Sequence, residues 1–326
     1  MRTFQLSSLA LRGKAMKSLA KVVLTFQFVT LLAKPASPLE MRPIRTLDVA
    51  RKIVEACIAK AQQQGWTMHV AMRRAFVFFL AFAFVIASAM TGRATDPVAD
   101  LLAGRGKDCP KCSLGSAKLK RFDLQDANLA GANLAGAILH GANLAGANLS
   151  GADLTGTNLN KADLKRANLV GARLGEAMLY EADLRGADLT RADLAGAMMG
   201  ASHLALAKLD AADITGADLA DAWMHGAKLK GADLSHSDLG QTTLRRADLS
   251  GARLVGSGLV RADLRGANLE HTDLQNADLM HADLTEADLS GADLKGARLF
   301  LAKLTDAKLD GAGLAGTIMP DGTTHQ

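Results

Sequence analysis

Aromatic side chains make up only 4% of this chain of 326 residues, which has one tyrosine and two tryptophans. A surface that binds single-stranded nucleic acid needs aromatic platforms on which bases stack, and few residues here are able to form one. An excess of basic over acidic residues is also missing from the main part of the chain. Residues 1–112 hold 17 Lys and Arg against 6 Asp and Glu, whereas residues 113–319 hold 21 against 26. Because a basic patch marks nucleic-acid binding, we predict no nucleic-acid partner.

Sequence motifs for catalysis and metal binding are missing as well. The chain has no G-x-S-x-G motif and no phosphate-binding loop, and no nucleophile is paired with a base. The three cysteines include one C-x-x-C pair, Cys109 and Cys112, whereas a zinc site of this type needs four ligands. We therefore predict that the protein is not an enzyme and holds no metal or other cofactor.

An apolar residue occupies every fifth position from Leu114 to Met319, at 42 consecutive positions. Two residues before these positions stands Ala, or Ser or Thr in a few units, with Cys112 and Phe122 as the two exceptions, and Asp or Asn usually lies between the two. The repeating unit is A-[D/N]-L-x-x. Leucine fills the apolar position everywhere except at Met199, Ile214, Met224 and Met319. Internal repeats decide the fold class before any other sequence signal.

A period of five residues fits neither the 3.6-residue period of a helix nor the two-residue alternation of a strand. It fits a chain that turns a corner once in each unit. The leucine and the small residue two positions earlier then point inward together, and the other three positions face outward. Four such units, one on each side, close a square coil. We therefore predict a leucine column that is buried along its full length.

The run from Ala127 to Leu134, A-N-L-A-G-A-N-L, closely resembles the pentapeptide-repeat family, and the resemblance covers about two thirds of the chain. It implies an all-β fold, a right-handed quadrilateral β-helix, over residues 113–319, with a tail at residues 320–326. About ten coils spaced by about 4.8 Å would form a rod roughly 50 Å long.

Side chains separated by four repeat units are expected to stack on one side of such a coil. His203 should therefore lie on Trp223, and His225 on Arg245. No two histidines of the repeats are separated by four or by eight units, so we interpret them as surface residues rather than metal ligands. The aspartates recur because their position recurs, and they give no indication of acid–base catalysis.

Residues 72–89 have the pattern of a signal peptide or a single membrane anchor. Arg73 and Arg74 precede an apolar stretch at residues 75–90 that ends in Ala87-Ser88-Ala89, which suits signal peptidase. The alternative is an uncleaved span, because about 17 apolar residues are the lower limit for crossing a bilayer. Both alternatives predict a periplasmic or secreted repeat domain, because the two arginines keep the preceding side in the cytoplasm. The membrane would be contacted only through this segment.

Residues 1–71 have two explanations: Met72 is the true start of the protein, or these residues are a real but decayed segment. We expect this extension to be mostly helical. Residues 46–71 read as a helix followed by a strand and weakly resemble the start of a GlcG-type, haem-degradation-like domain. About 30 residues cannot build a core alone, so no function is inferred from this resemblance.

We expect residues 90–112 to cap the first coil, since an open coil end invites pairing with another chain. Asp96 as the capping residue and Pro97 at the first helical position predict a short helix through Leu102.

Cys109 and Cys112 lie directly before the first repeat. A thioredoxin-type redox centre needs a βαβ context, which is absent here. In a secreted protein, a short structural disulfide is the favoured interpretation. Exported members of the family are similar in placing a C-x-x-C before the first unit.

Apolar residues in the outward positions are the informative surface signal. Met178 and Met198 are separated by four units and should stack in adjacent coils, and Tyr180 lies near Met178. Contiguous apolar patches indicate binding, whereas single exposed apolar residues are ordinary. We therefore predict an interaction patch at Met178, Tyr180 and Met198.

Together these features predict an exported, non-enzymatic rod that acts as a scaffold or a protein-binding surface. The protein partner is not identified by the sequence, and a homodimer through a solenoid end is a further expected assembly. The alternative, implied by the family resemblance, is a DNA mimic that protects a topoisomerase. The net charge of −5 over residues 113–319 suits that alternative. The export signal argues against it, because the target is cytoplasmic.

Overall fold

The computed structural model describes residues 96–326. It begins with one helix, α1 (Pro97–Leu102), which confirms the short helix predicted after Asp96. The Asp96 side chain accepts a hydrogen bond from the Val98 N–H at 3.1 Å, and Pro97 occupies a position where a missing N–H costs nothing. Leu101 is buried among the core residues of the coils, so α1 is anchored to the repeat domain.

The predictions for residues 1–95 lie outside the described residues. They comprise the helical extension, the GlcG-like segment, and the signal peptide or membrane anchor. Within residues 96–326, no helix is both long enough and apolar enough to cross a membrane.

After α1 the chain winds into square coils of four units each, as the sequence predicted. Parallel bridges join each unit to the unit four places later, from the pair Asp108 and Asn128 to the pair Arg298 and Ile318. Each five-residue unit forms one side of a coil and meets the next coil at one bridge. We number the four sides in chain order by the first residues of their bridge columns, which are Asp108, Ser113, Lys118 and Asp123.

Backbone hydrogen bonds connect successive coils and also close the corners. The Leu114 N–H donates to the Asn133 carbonyl of the next coil at 2.7 Å, and the Asn133 N–H donates back to the Cys112 carbonyl at 2.8 Å. Across the corner, the Ala117 N–H donates to the Leu114 carbonyl at 3.0 Å. The same pattern recurs along the rod, so the ladder satisfies the buried backbone of the inner coils.

The second corner residue of each unit from Ser116 to Gly316 has left-handed backbone geometry. Its φ is 64° at Gly251 and 57° at Arg191. Glycine adopts this geometry freely, whereas other residues do so at a cost of roughly 1 kcal/mol. Gly291 has a second reason to be glycine, because a Cβ there would lie 2.5 Å from Nδ1 of His271, the corner residue one coil earlier.

The core consists of the two inward columns. The leucine column is buried from Leu114 to Leu299, and alanine packs beside it. Hydroxyl residues in the small column mostly find a backbone acceptor. Thr157 Oγ1, for example, donates to the Leu134 carbonyl at 2.9 Å, which avoids a buried unpaired hydroxyl.

The prediction that the leucine column is buried along its full length is wrong for the last coil. Leu304, Leu309 and Leu314 are only half-buried, because no further coil packs on them. The chain turns back instead, and Thr324 forms an antiparallel bridge with Ile318. The segment that turns back covers one side of the last coil, and within residues 96–326 nothing covers its other sides.

Candidate protein-binding surface

The methionine strip, defined as Met178, Tyr180 and Met198, lies on the third side of the rod. Met178 and Met198 occupy the same outward position of consecutive coils and form a parallel bridge, so they stack as predicted. Met178 is half-buried and Met198 is 51% exposed. Ile138 lies in the same column two coils before Met178 and is also exposed.

Tyr180 extends the strip toward the corner between the third and fourth sides. Its backbone N–H donates to Asn160 Oδ1 at 2.9 Å. Its ring lies over Gly200, where a Cβ would be 3.5 Å from Tyr180 Cδ2. Gly200 is buried beneath this ring, whereas Tyr180 itself remains 48% exposed. The small residue at position 200 therefore leaves room for the ring of Tyr180.

His203 and Trp223 form a stacked pair on the fourth side. Their ring centroids are 4.8 Å apart and their planes are 4° from parallel, which confirms the predicted contact. Trp223 remains 59% exposed. Leu206 is also exposed on this side, so four of the eight exposed large hydrophobic residues within 96–326 lie between Tyr180 and Trp223. Half of these exposed apolar residues thus lie within three consecutive coils.

Two carboxylates continue the column of the methionine strip. Met198 bridges Asp218, which in turn bridges Asp238, and both aspartates are exposed. The Ala220 N–H donates to Asp218 Oδ1 at 3.0 Å, and the Gly240 N–H donates to Asp238 Oδ1 at 2.9 Å. Neither carboxylate forms an ion pair within residues 96–326. The column therefore changes from apolar to anionic at a single step.

The cysteine pair occupies inward positions at the start of the rod. Cys109 lies in the leucine column, one unit before Leu114, and is buried, whereas Cys112 lies in the small column and is half-buried. The Cys112 N–H donates to the Cys109 carbonyl at 3.3 Å, so one turn brings the two residues together. The Cα atoms of such a turn are less than about 7 Å apart, which suits a disulfide.

Both cysteines are thiols in the structure, and the disulfide stays a prediction. Burial is the main cause that raises the pKa of the Cys112 thiol to about 12, and the neighbouring Cys109 raises it further. A thiol of this kind is protonated at neutral pH and is a poor nucleophile. The environment therefore suits a structural pair better than a thiol-exchange centre.

The model of the family of pentapeptide repeats matches this chain in eight copies, within residues 112–259 and 262–299. These ranges contain most of the coils described above. The chain belongs to the pentapeptide-repeat family. Membership of the family carries with it the right-handed β-helix that the resemblance implied.

Several solved structures of pentapeptide-repeat proteins are similar to this chain. HetL, a protein involved in heterocyst differentiation regulation in the cyanobacterium Nostoc sp. strain PCC 7120, is 36% identical, and the match covers 70% of this chain and 98% of HetL with a TM-score of 0.33. Rfr23 from the cyanobacterium Cyanothece 51142 is 37% identical over 28% of this chain and 59% of its own, with a TM-score of 0.27. QnrB1, a plasmid-mediated fluoroquinolone resistance protein, is 15% identical over 64% of this chain and 89% of its own, with a TM-score of 0.27. No curated protein matches the chain.

Many carboxylates of this pentapeptide-repeat protein pair with a base one coil later, and one such pair, Asp278 with Arg298, lies on the third side. Arg173 pairs with Asp153 at 3.4 Å, and Lys308 pairs with Asp288 at 2.7 Å. The hydrogen bond from Lys308 is the main cause that lowers the pKa of Asp288 from 3.8 to about 2. Exposed pairs of this kind contribute little to stability individually. Within the described part of the chain, no group of three or more His, Cys, Asp or Glu residues is arranged to hold a metal ion.

Sequence reasoning identified the methionine strip but did not join it to the residues around it. The predicted patch did not include Trp223, Asp218 or Asp238. Counting repeat units was sufficient to find the carboxylates, because Asp218 follows Met198 by four units and Asp238 follows Asp218 by four more. The contact of the Tyr180 ring with Gly200 had no comparable sequence signal.

Proposed function

We propose that this pentapeptide-repeat protein is an exported, non-enzymatic scaffold whose methionine strip binds a protein partner. The carrying observation is the concentration of exposed apolar side chains around Met178, Tyr180 and Met198 on a rod whose outward positions are otherwise mostly polar. Tyrosine and methionine are enriched in protein interfaces, and methionine adapts readily to the shape of a partner.

Site-specific photo-crosslinking tests this proposal. A photoreactive amino acid placed at position 198 should crosslink one protein in cells that express the full-length chain. The matched control is position 208, because Lys208 is an exposed residue of the first side, two sides away and thus opposite the strip. Crosslinking of the same protein at both positions, or of none at position 198, would contradict the proposal.

Export is supported by the sequence of residues 72–89, with Arg73 and Arg74 before an apolar stretch. We propose a periplasmic or secreted location, either free after cleavage or anchored through residues 75–90. Residues 72–95 fused to a reporter that is active only outside the cytoplasm should give activity. A reporter found only in the cytoplasmic fraction would remove the export part of the proposal.

A homodimer through the C-terminal solenoid end is supported by the open edge of the last coil. Among residues 96–326, no backbone acceptor pairs with the N–H groups of Leu304, Leu309 and Leu314, and the side chains of these residues are half-buried. Such an edge favours pairing with a second chain. Sedimentation should show a dimer that Leu309→Glu converts to a monomer, and a parent that is monomeric at all concentrations would contradict this assembly.

The alternative function is a DNA mimic that protects a topoisomerase. The net charge of −5 over residues 113–319 supports it, together with the carboxylates of Asp193 and Asp213, which occupy consecutive coils of the second side. This function requires a cytoplasmic location, so the same reporter fusion separates the two. Protection of topoisomerase activity by the purified protein in a supercoiling assay would favour the alternative directly.

A further inference from the structure

The third side of the rod carries one column that is apolar in two coils and anionic in the next two. Met178, Met198, Asp218 and Asp238 follow one another through parallel bridges. At a spacing of about 4.8 Å per coil, the four residues extend over roughly 14 Å. An extended peptide of about five residues covers the same length. The column therefore has the dimensions of a short linear segment rather than of a whole folded domain.

The anionic half of this column has no cation of its own. In other columns a carboxylate often meets a base one coil later, as Asp233 meets Arg253 at 3.0 Å. The residue one coil after Asp218 is Asp238, and the residue one coil after Asp238 is Gly258. The two exposed carboxylates therefore repel each other, and a cation placed between them by a partner would relieve this repulsion.

The adjoining corner adds a surface suited to a guanidinium or ammonium group. Asp221 is exposed at this corner, two residues before Trp223. The Trp223 ring stacks on His203, and Trp223 remains 59% exposed. Cations bind favourably over an indole face, and more so beside a carboxylate. The nearby bases of the fourth side are engaged, since Arg185 pairs with Asp183 and Arg245 with Asp263.

We propose that the methionine strip, Asp218, Asp238 and the Asp221–Trp223 corner form one site for a basic linear segment of a protein partner. Apolar side chains of the segment lie on Met178 and Met198, and Arg or Lys side chains lie on the carboxylates and on Trp223. This assignment rests on the proposed function, and it specifies the chemistry of the partner. Charge complementarity between the unpaired carboxylates and the basic residues selects this partner over an acidic or neutral one.

Three labelled peptides test the proposal by fluorescence anisotropy with the full-length protein. The first is Leu-Ser-Leu-Ser-Arg-Ser-Arg, the second replaces both arginines with glutamate, and the third replaces both leucines with serine. We expect the first to bind, and the glutamate peptide to bind about tenfold more weakly or not at all. The serine peptide should be intermediate, because it keeps only the contacts with the anionic half of the site.

The protein variants are matched in charge and in local geometry. Asp218→Asn with Asp238→Asn should weaken binding of the arginine peptide about tenfold. Asp193→Asn with Asp213→Asn should leave binding unchanged. Those two aspartates are also consecutive, lie on the second side and form no ion pair within residues 96–326. Asparagine fits this position, because Asn133 Oδ1 accepts the Ala135 N–H at 3.0 Å in the native coil.

Each outcome has a defined meaning. If both pairs of aspartate substitutions weaken peptide binding equally, binding depends on the overall charge of the rod and not on this site, and the proposal is overturned. Equal binding of the arginine and glutamate peptides, or no binding of either, would also overturn it. The crosslink at position 198 is measured independently of the peptides. If the peptide results overturn the basic partner but a protein still crosslinks at position 198, the proposed scaffold function stands without that partner. If no protein crosslinks at position 198 either, both proposals are overturned.

Discussion

The imidazole of His203 lies parallel to the indole of Trp223, with ring centroids 4.8 Å apart. The two residues occupy the same outward position of consecutive coils and form a parallel bridge. Their separation is close to the spacing of about 4.8 Å between paired strands, so the stack follows directly from a translation by one coil. In this fold the residue four units away is therefore a closer neighbour than most residues nearby in the sequence.

A charge placed in the leucine column should unfold the protein in the middle of the rod. Leu219 is buried, and an unpaired lysine there would cost several kcal/mol. Leu219→Lys should therefore abolish the cooperative thermal transition measured by circular dichroism. Leu206→Lys is the matched control, because Leu206 is 67% exposed, so a lysine there reaches solvent and the variant should melt closer to the parent. Parent-like melting of Leu219→Lys would contradict the inward column.

The four-sided coil and the leucine column were predictable because every unit repeats the same five-residue pattern, with one apolar residue at a fixed position. The burial of Leu304 and Leu314 was not, because the same local pattern is buried in the middle of the rod and half-open at its end. The burial of a leucine depends on whether another coil packs on it, and the sequence of a single unit does not contain that information. The predicted stack of His203 and Trp223 was confirmed, since it needs only the repeat length.

Two corner glycines of the first side should respond differently to alanine. Gly251 and Gly291 both have left-handed backbone, with φ of 64° and 66°. A Cβ at Gly251 meets nothing within 4 Å, whereas at Gly291 it would overlap the His271 ring. Gly251→Ala should cost about 1 kcal/mol in urea unfolding, and Gly291→Ala should cost more. Adding His271→Ala to the second variant should remove the excess, and an unchanged excess would show that the ring is not its cause.

Stability should fall in acid as Asp263 is protonated. The hydrogen bond from Arg265 is the main cause that lowers the pKa of Asp263 from 3.8 to about 2, and Arg245 lowers it further. A carboxylate with a lowered pKa in the folded state stabilises the protein above its unfolded pKa, and this contribution is lost as the pH falls from about 4 to about 2. Asp263→Asn and Arg265→Gln should both reduce the slope of the unfolding free energy in this range. An unchanged slope in both variants would refute this assignment.

The cysteine pair should be a disulfide in protein isolated from outside the cytoplasm. By chain-entropy reasoning such a short loop adds only about 2–3 kcal/mol. Replacing Cys109 and Cys112 with serine should lower the melting temperature modestly and speed hydrogen exchange at residues 114–134 first. Later coils should be unaffected, because repeats couple mainly to their neighbours. Free thiols in the exported protein, or bound zinc in stoichiometric amount, would rule out the disulfide.

The binding role of the methionine strip is tested most directly by one comparison of two double variants. Met178→Ser with Met198→Ser removes the apolar strip, whereas Val170→Ser with Val255→Ser removes partly exposed apolar residues from the first and second sides. Each full-length variant carries a photoreactive amino acid at position 180. The measurement is the amount of partner protein that is crosslinked to it. We predict that the methionine variant loses this partner and that the valine variant keeps it, at equal melting temperatures. Full recovery with the methionine variant would contradict the account.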